Sequence, residues 1–332
     1  MAGSSSAEGS RSWAIAWTLA FTELVSWGIL YYAFTALMVP MQAEFGWSIG
    51  AMTGAYSLSM LVSGLAAPIV GRWLDTHGPR GLMTAGSVFG VLLVLAWSRV
   101  ESLAAFYLVW VGIGLACAAT LYEPAFTTIA QWFRQGRSQA MLLVTILGGF
   151  ASTVFLPLTG WLTDRSGWRD ALVVLAVILA VGTVLPHALV LRPAPAQARP
   201  RAATGDKPPA APFGEMMREP VFARLSLAFF LQTTTAIAIS VHLIAYLVER
   251  GTDVTFAAWA AGLIGAAQVA ARIFTTIFER RFSIISLTAM MFAFQVLAIV
   301  LLVGWQTPAG IIAAVIFLGM GRGAIPLLRP GL

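Results

Sequence analysis

Apolar residues dominate the chain in ten long runs, separated by short stretches that carry charged residues, glycine or proline. Each run approaches or exceeds the roughly 20 apolar residues that a helix needs to cross a bilayer. The runs are continuous rather than alternating, which favours helices over strands at this depth. The predicted spans cover approximately residues 13–39, 49–71, 81–98, 103–129, 141–163, 170–191, 222–246, 256–277, 284–304 and 308–327.

Composition supports a lipid environment. Hydrophobic residues make up 59% of the 332 residues and charged residues only 10%, whereas soluble domains carry about 25% charged residues. The net charge of +6 comes from basic residues scattered between apolar runs, so we expect no nucleic-acid partner. One cysteine, three histidines and sparse acids form no metal-ligand cluster, catalytic triad or phosphate loop in the sequence. We therefore expect that the protein is not an enzyme and that it has no cofactor and no metal site.

The basic residues also predict orientation. With a cytoplasmic amino terminus, Arg99, Arg165, Arg169 and Arg250 fall outside, and the other sixteen of the twenty Lys and Arg residues fall inside. Segment 192–218 is rich in proline, alanine and arginine, which is typical of a flexible cytoplasmic linker. The predicted organisation is a disordered tail at 1–12, a six-helix bundle at 13–191, this linker, and a second bundle of about four helices at 219–332.

A charged, glycine-punctuated stretch, GRWLDTHGPRG at 71–81, joins the second and third spans. It resembles the loop between helices 2 and 3 of the major facilitator superfamily, in which Gly71, Asp75, Gly78 and Arg80 match the pattern. From the residues alone, Gly71 and Gly78 are expected to let the backbone turn tightly, and Asp75 to accept a hydrogen bond from Arg80 or a helix amino terminus. The alternative is a hydrated loop with ordinary inward-facing arginines.

The resemblance extends to MQAEFGWS, YEPAF, QWFRQGRSQA and GWR, which are similar to bacterial members near the monocarboxylate and oxalate–formate exchanger branch. It implies an all-α polytopic membrane protein with a two-bundle fold, of which about ten of twelve helices are present. It also implies that Gly71, Asp75, Gly78 and Arg80 form a cytoplasmic latch with helix 11. That helix is expected to be absent from a chain truncated in its second half.

Two acidic residues within the spans are candidates for proton coupling. Glu23 lies in span 1, with Trp27 and Tyr31 following at four-residue steps on the same face. A carboxylate at this depth is costly unless it is protonated, paired or hydrated. Glu123 lies beside Pro124 in span 4, and its alternative placement is the inner interface near Arg134. For Glu23, the alternative is a structural hydrogen bond to a neighbouring helix.

The second half supplies candidates for binding a solute. Gln232, Thr235 and His242 are assigned to one face of span 7, and Gly265, Gln268 and Arg272 to one face of span 8. Arginine offers a fixed fork of donors that matches a carboxylate, and the resemblance adds that related carriers bind their anion through an arginine of helix 8. The alternatives are a structural His242, and an Arg272 that extends its charge to the inner interface. The predicted binding set is Arg272, Gln268, His242, Gln232 and Tyr31.

These features predict a secondary active transporter, proton-coupled or exchanging. The predicted substrate is a small organic anion such as a monocarboxylate, carried across a bacterial inner membrane. We expect a monomer in the lipid bilayer with a small-molecule substrate. Two alternatives stay open: an exporter of neutral or cationic compounds that uses Glu23 as a cation site, and a truncated, non-transporting membrane protein.

Overall fold

The computed structural model describes residues 2–133, 135–192, 218–278 and 281–323, which are almost entirely helical and contain no strand within these ranges. Within these ranges, ten helical spans, α1–α10, follow one another. In the first half they are α1 (Ala2–Ser26, Trp27–Tyr32 and Ala33–Phe45), α2 (Ile49–His77), α3 (Pro79–Trp97), α4 (Leu103–Thr120 and Tyr122–Trp132), α5 (Arg137–Gly149 and Ala151–Leu179 as far as residue 166) and α6 (the rest of Ala151–Leu179, then Ala180–Val184 and Leu185–Val190). In the second half they are α7 (Pro220–Glu249), α8 (Val254–Phe278), α9 (Ile284–Gly304) and α10 (Pro308–Gly323).

The predicted spans each have a helical counterpart. Eight helical stretches are long and apolar enough to cross a membrane, and the longest, Arg137–Val190, contains both α5 and α6. The shorter apolar helix α10 completes the set. Helix α1 already begins at Ala2, within the stretch predicted to be a disordered tail, so that prediction does not match the structure. The predicted linker lies almost wholly outside the described residues.

Two glycines with the same unusual backbone conformation separate neighbouring helices. Gly78 (φ 78°, ψ 177°) lies between α2 and α3, and Gly167 (φ 81°, ψ 162°) lies between α5 and α6. A side chain would clash in this region of φ and ψ, so essentially only glycine adopts it. The turn predicted at Gly71 is wrong, because α2 continues through Gly71 to His77 without interruption.

Three helices of the first half are irregular next to the cavity described below, and α6 also contains a π-helical turn at Ala180–Val184. Helix α1 widens into a π-helical turn at Trp27–Tyr32, α4 breaks at Leu121, and α5 breaks at Phe150. Such interruptions of regular helix are frequent at functional sites.

The two halves pack together through α5 and α8. A Cβ atom added to Gly265 of α8 would lie 2.6 Å from the Ser152 Oγ of α5, so glycine permits this close approach. The Thr153 hydroxyl donates to the Gly262 carbonyl at 2.7 Å. Towards the predicted outer side, an apolar cluster that includes Ala36 and Leu156 of the first half and Ile244 of the second closes the interface.

Candidate functional site

A cavity of about 350 Å³ lies between the two halves. This volume falls within the usual range for small-molecule sites. Residues from both halves line it: Trp27, Tyr31, Tyr32, Met60, Tyr122, Gly148 and Gly149 from the first, and Gln232, Thr233, Ala236, Ile237, Gln268, Arg272 and Arg322 from the second. The first half therefore contributes an aromatic wall, whereas the second contributes amides and two guanidinium groups.

The aromatic wall is held together by ring contacts. The Trp27 ring centroid lies 4.9 Å from that of Tyr31 and 5.0 Å from that of Tyr122. Aromatic pairs at this separation stabilise one another beyond their buried area. The π-helical turn of α1 and the break in α4 thus bring Trp27, Tyr31 and Tyr122 into one rigid surface.

Arg272 is buried in the cavity wall, with 5% of its surface exposed. A Cβ atom at Gly149 would lie 2.9 Å from its Nη1, so the glycine of α5 leaves room for the guanidinium. The Tyr122 hydroxyl interacts with the same guanidinium. Extension of Arg272 to the inner interface, one alternative considered from the sequence, is therefore wrong.

Arg322, in the last turn of α10, also lines the cavity. Its Nη1 donates to the Ser240 hydroxyl of α7 at 2.5 Å, and its guanidinium interacts with the Tyr31 hydroxyl. The distribution of basic residues predicts Arg322 on the inner side, because it follows an apolar run at the predicted cytoplasmic end. The glycines of the segment GMGR are the one sequence signal that could have indicated its place, since they permit close helix packing.

Gln232 and Gln268 lie where the sequence predicted a binding face. The Gln232 side-chain amide donates to the Gln295 Oε1 of α9 at 2.7 Å, and the Gln295 side-chain amide donates to the backbone carbonyl of Gln232 at 3.1 Å. This reciprocal pair fixes α7 against α9. Gln268 lies one turn before Arg272 and is 6% exposed, within the same wall.

Glu23 is fully buried in α1 and is not among the lining residues. Neither of its carboxylate oxygens has a hydrogen-bond partner in the part of the chain that the structure describes. The Trp27 indole interacts with the carboxylate, although the geometry falls short of a hydrogen bond. Glu23 therefore lies behind the aromatic wall. The alternative of a structural hydrogen bond to a neighbouring helix is not observed.

Two predicted residues are not brought to the cavity. Glu123 is exposed in the first turn of the second segment of α4, although it is close enough to Glu23 for electrostatic interaction. His242 is partly buried and does not line the cavity. Ten residues separate Gln232 from His242, which leaves His242 about 80° short of three full helical turns. The lining residues Thr233 and Ala236 lie on the other side of Gln232, so the predicted placement of His242 in the cavity is not observed.

The predicted latch residues lie at the junction of α2 and α3. Asp75 and Arg80 are both exposed, and no hydrogen bond or ion pair connects them within the described ranges. The expected acceptor role of Asp75 is thus not observed in this arrangement. Gly78 forms the turn itself.

The described residues contain no group of three or more His, Cys, Asp or Glu side chains that could hold a metal ion.

Comparison with known proteins gives matches over most of the chain. Monocarboxylate transporter 13 of Rattus norvegicus is 28% identical over 241 residues, which are 71% of this chain and 52% of that protein. The oxalate:formate antiporter of Oxalobacter formigenes is 27% identical over 202 residues, which are 60% of this chain and 47% of the antiporter. The chain thus spans about half the length of these curated relatives.

A solved structure shares the fold. The crystal structure of a bacterial homologue of the human lysosomal transporter Spinster, inward-facing and unoccupied, aligns with a TM-score of 0.65. It is 20% identical, and the alignment covers 96% of this chain and 74% of that chain. The sequence model of the Major Facilitator Superfamily matches residues 16–329. The two-bundle helical fold, the multi-pass membrane character and this match lead to one conclusion: the chain belongs to the Major Facilitator Superfamily, a family of transporters rather than enzymes.

Proposed function

We propose that the protein is a secondary active transporter of a small organic anion, such as a monocarboxylate, across a bacterial inner membrane. The observation that carries the proposal is the buried Arg272 in the wall of a cavity between the two halves. A guanidinium presents donors in a geometry that matches a carboxylate. The similarity to a monocarboxylate transporter and to an oxalate:formate antiporter supports the same class of substrate.

In the proposed mechanism Arg272 binds the carboxylate, while Gln232, Gln268 and Tyr31 form the surrounding wall. The two halves rock about this central site, so that it faces each side of the membrane in turn. The described arrangement corresponds to the state that faces the cytoplasm. In support, an apolar cluster packs the predicted outer ends of the two halves together.

Glu23 is the proposed proton-coupling residue. Its buried carboxylate contacts Trp27, whose ring lines the cavity, so a change in its protonation can reach the binding site. Glu123 is a weaker candidate, because its side chain is exposed. We further propose that the transporter functions as a monomer with its amino terminus in the cytoplasm.

The charge of the cavity argues against an exporter of cations. Its described lining includes two arginines and no aspartate or glutamate. The two guanidinium groups would therefore repel a cationic substrate.

The test is uptake of labelled lactate by proteoliposomes that contain the whole chain, compared with the variant Arg272→Gln. Because a hydrogen bond to a charged group contributes roughly 1.5–3 kcal/mol, we expect the variant to lose about tenfold or more in apparent affinity. Arg250→Gln, at the end of α7 where Arg250 lies over the Tyr246 ring, is the matched control. Uptake that is unchanged in Arg272→Gln would contradict the proposal, and uptake absent from the unmodified chain would favour the non-transporting alternative.

A further inference from the structure

The wall that the first half contributes to the cavity consists mainly of aromatic rings, those of Trp27, Tyr31, Tyr32 and Tyr122. Three of these rings direct their polar atoms to protein groups. The Trp27 indole interacts with the Glu23 carboxylate behind the wall. The hydroxyl groups of Tyr31 and Tyr122 interact with guanidinium groups of the second half. The surface that this wall offers to a ligand is therefore mostly ring carbon.

Apolar side chains extend the aromatic wall. Met60 of α2 and Ile237 of α7 line the cavity and pack, like Trp27, against the buried cluster that contains Tyr31. A thioether packs favourably against aromatic rings. The charged residues of the described lining both belong to the second half. The cavity thus has an apolar, aromatic side and a polar side.

Tyr122 connects the two sides. Its hydroxyl interacts with the Arg272 guanidinium, and its ring centroid lies 5.0 Å from that of Trp27. An acid that binds Arg272 through its carboxylate therefore has the Tyr122 ring beside it and the Trp27 ring beyond. A ligand that lies along Tyr122 meets a cation at one end and aromatic surface at the other.

The size of the cavity favours a ligand larger than a simple short-chain acid. A volume of about 350 Å³ corresponds to about twelve groups of the size of a water molecule, at roughly 30 Å³ each. Lactate has about half that number of non-hydrogen atoms and would leave the aromatic wall largely uncovered. A phenyl ring on a short carboxylate chain fills most of the space.

We propose that the substrate is an aromatic carboxylate, in which one or two carbon atoms join the ring to the carboxylate. The carboxylate lies at Arg272, and the ring packs against Trp27 and Tyr122. The inference rests on the proposed function and narrows the organic anion to one substrate class. A bound ring gains from burial and, in addition, from contacts with the aromatic rings of the wall.

Binding of matched acids to the whole chain in detergent, measured by titration calorimetry against empty micelles, tests this proposal. Phenylacetate is compared with cyclohexylacetate, and phenylpropionate with cyclohexylpropionate. The members of each pair have the same number of carbon atoms and the same charge. The saturated member is the more hydrophobic, so partitioning into detergent does not produce a preference for the aromatic one. We expect at least one aromatic acid to bind about threefold or more tightly than its saturated partner, and about tenfold or more tightly than butyrate.

Substitutions at Trp27 test the role of the wall. Trp27→Leu keeps an apolar side chain but removes the ring, so we expect the aromatic preference to disappear while butyrate affinity is retained. Trp27→Phe should retain part of the preference. Trp17→Leu removes an exposed tryptophan from the same helix and is the matched control, which should retain all of it.

The outcomes separate this inference from the proposed function. Aromatic acids that bind no more tightly than their saturated partners would overturn the aromatic assignment. A preference that survives in Trp27→Leu, or an equal loss of butyrate and phenylacetate in that variant, would also overturn it, the latter indicating a purely structural tryptophan. Butyrate and phenylacetate affinities that are both unaffected by Arg272→Gln would instead count against the proposed anion site itself.

Discussion

Glu23, the proposed proton-coupling residue, is connected to the cavity through aromatic side chains. Its carboxylate is enclosed within α1 and contacts Trp27, which packs on both Tyr31 and Tyr122. Those tyrosines interact with Arg322 and Arg272 respectively. A continuous set of side chains thus joins the proposed proton site to both guanidiniums.

We predict that Glu23→Gln abolishes stimulation of anion uptake by an inward proton gradient while anion exchange persists, because the amide fills the same space but does not titrate. Uptake and exchange in proteoliposomes, measured between about pH 5 and pH 8, provide the readout. Glu101→Gln, in the exposed connection between α3 and α4, is the control. Gradient-driven uptake that matches the unmodified chain would rule out Glu23 as the coupling residue.

The individual residues of the candidate site could be predicted only in part from the sequence. Arg272, Gln268, Gln232 and Tyr31 were found because polar groups are rare in apolar runs and costly there. Arg322 was missed because a charge at the end of an apolar run looks the same whether it enters a loop or turns into a cavity. His242 was included although ideal helix geometry already places it about 80° from Gln232, and it does not line the cavity.

At the level of helices, the junctions α2–α3 and α5–α6 repeat one design. Asp75 and Arg80 flank Gly78 in the first, and Asp164 and Arg169 flank Gly167 at the same spacing in the second. The two glycines share a backbone conformation. In the second junction the Thr255 hydroxyl donates to the Asp164 Oδ2 at 2.9 Å, which links α5 to the beginning of α8 across the two halves.

We predict that Asp164→Ala loosens the predicted outer side, because it removes this hydrogen bond between the halves. A cysteine at Ala257, which is fully buried near this contact, should then react about fivefold faster with a membrane-impermeant maleimide, since a hydrogen bond contributes roughly 1 kcal/mol. Asp170→Ala, an exposed neighbour, is the comparison. Equal labelling rates in both backgrounds would show that the Asp164–Thr255 contact does not hold the outer side closed.

For the whole molecule, the distribution of basic residues still predicts one orientation. When Arg272 and Arg322 are placed in the cavity, fourteen of the twenty basic residues remain on the predicted inner side and four on the outer. The excess of basic residues on the inner side, which the positive-inside rule requires, therefore remains after Arg272 and Arg322 are moved to the cavity.

We predict that a cysteine at Ala203, in the proposed linker, reacts with an impermeant reagent only from the cytoplasmic side, and that a cysteine at Glu101 reacts only from the outside. The single native cysteine, Cys117, is buried in α4 and should give little background. Labelling of intact cells measures access from the outside, and labelling of inverted vesicles measures access from the cytoplasmic side. The reverse labelling pattern would show that the topology is opposite to the predicted one. The cavity would then face the outer side in this arrangement.

The sequence by itself determined that the protein is a multi-pass, all-helical membrane protein, because each long apolar run predicts one helix. It also placed the connections between the helices, because the length of an apolar run and the glycine at a turn act locally. The tertiary structure decided which polar residues share a cavity. Gly149 makes room for Arg272, and Gly319 and Gly321 set the rotation of α10 that brings in Arg322. Helix rotation and depth depend on packing between segments distant in the chain, which no local pattern records.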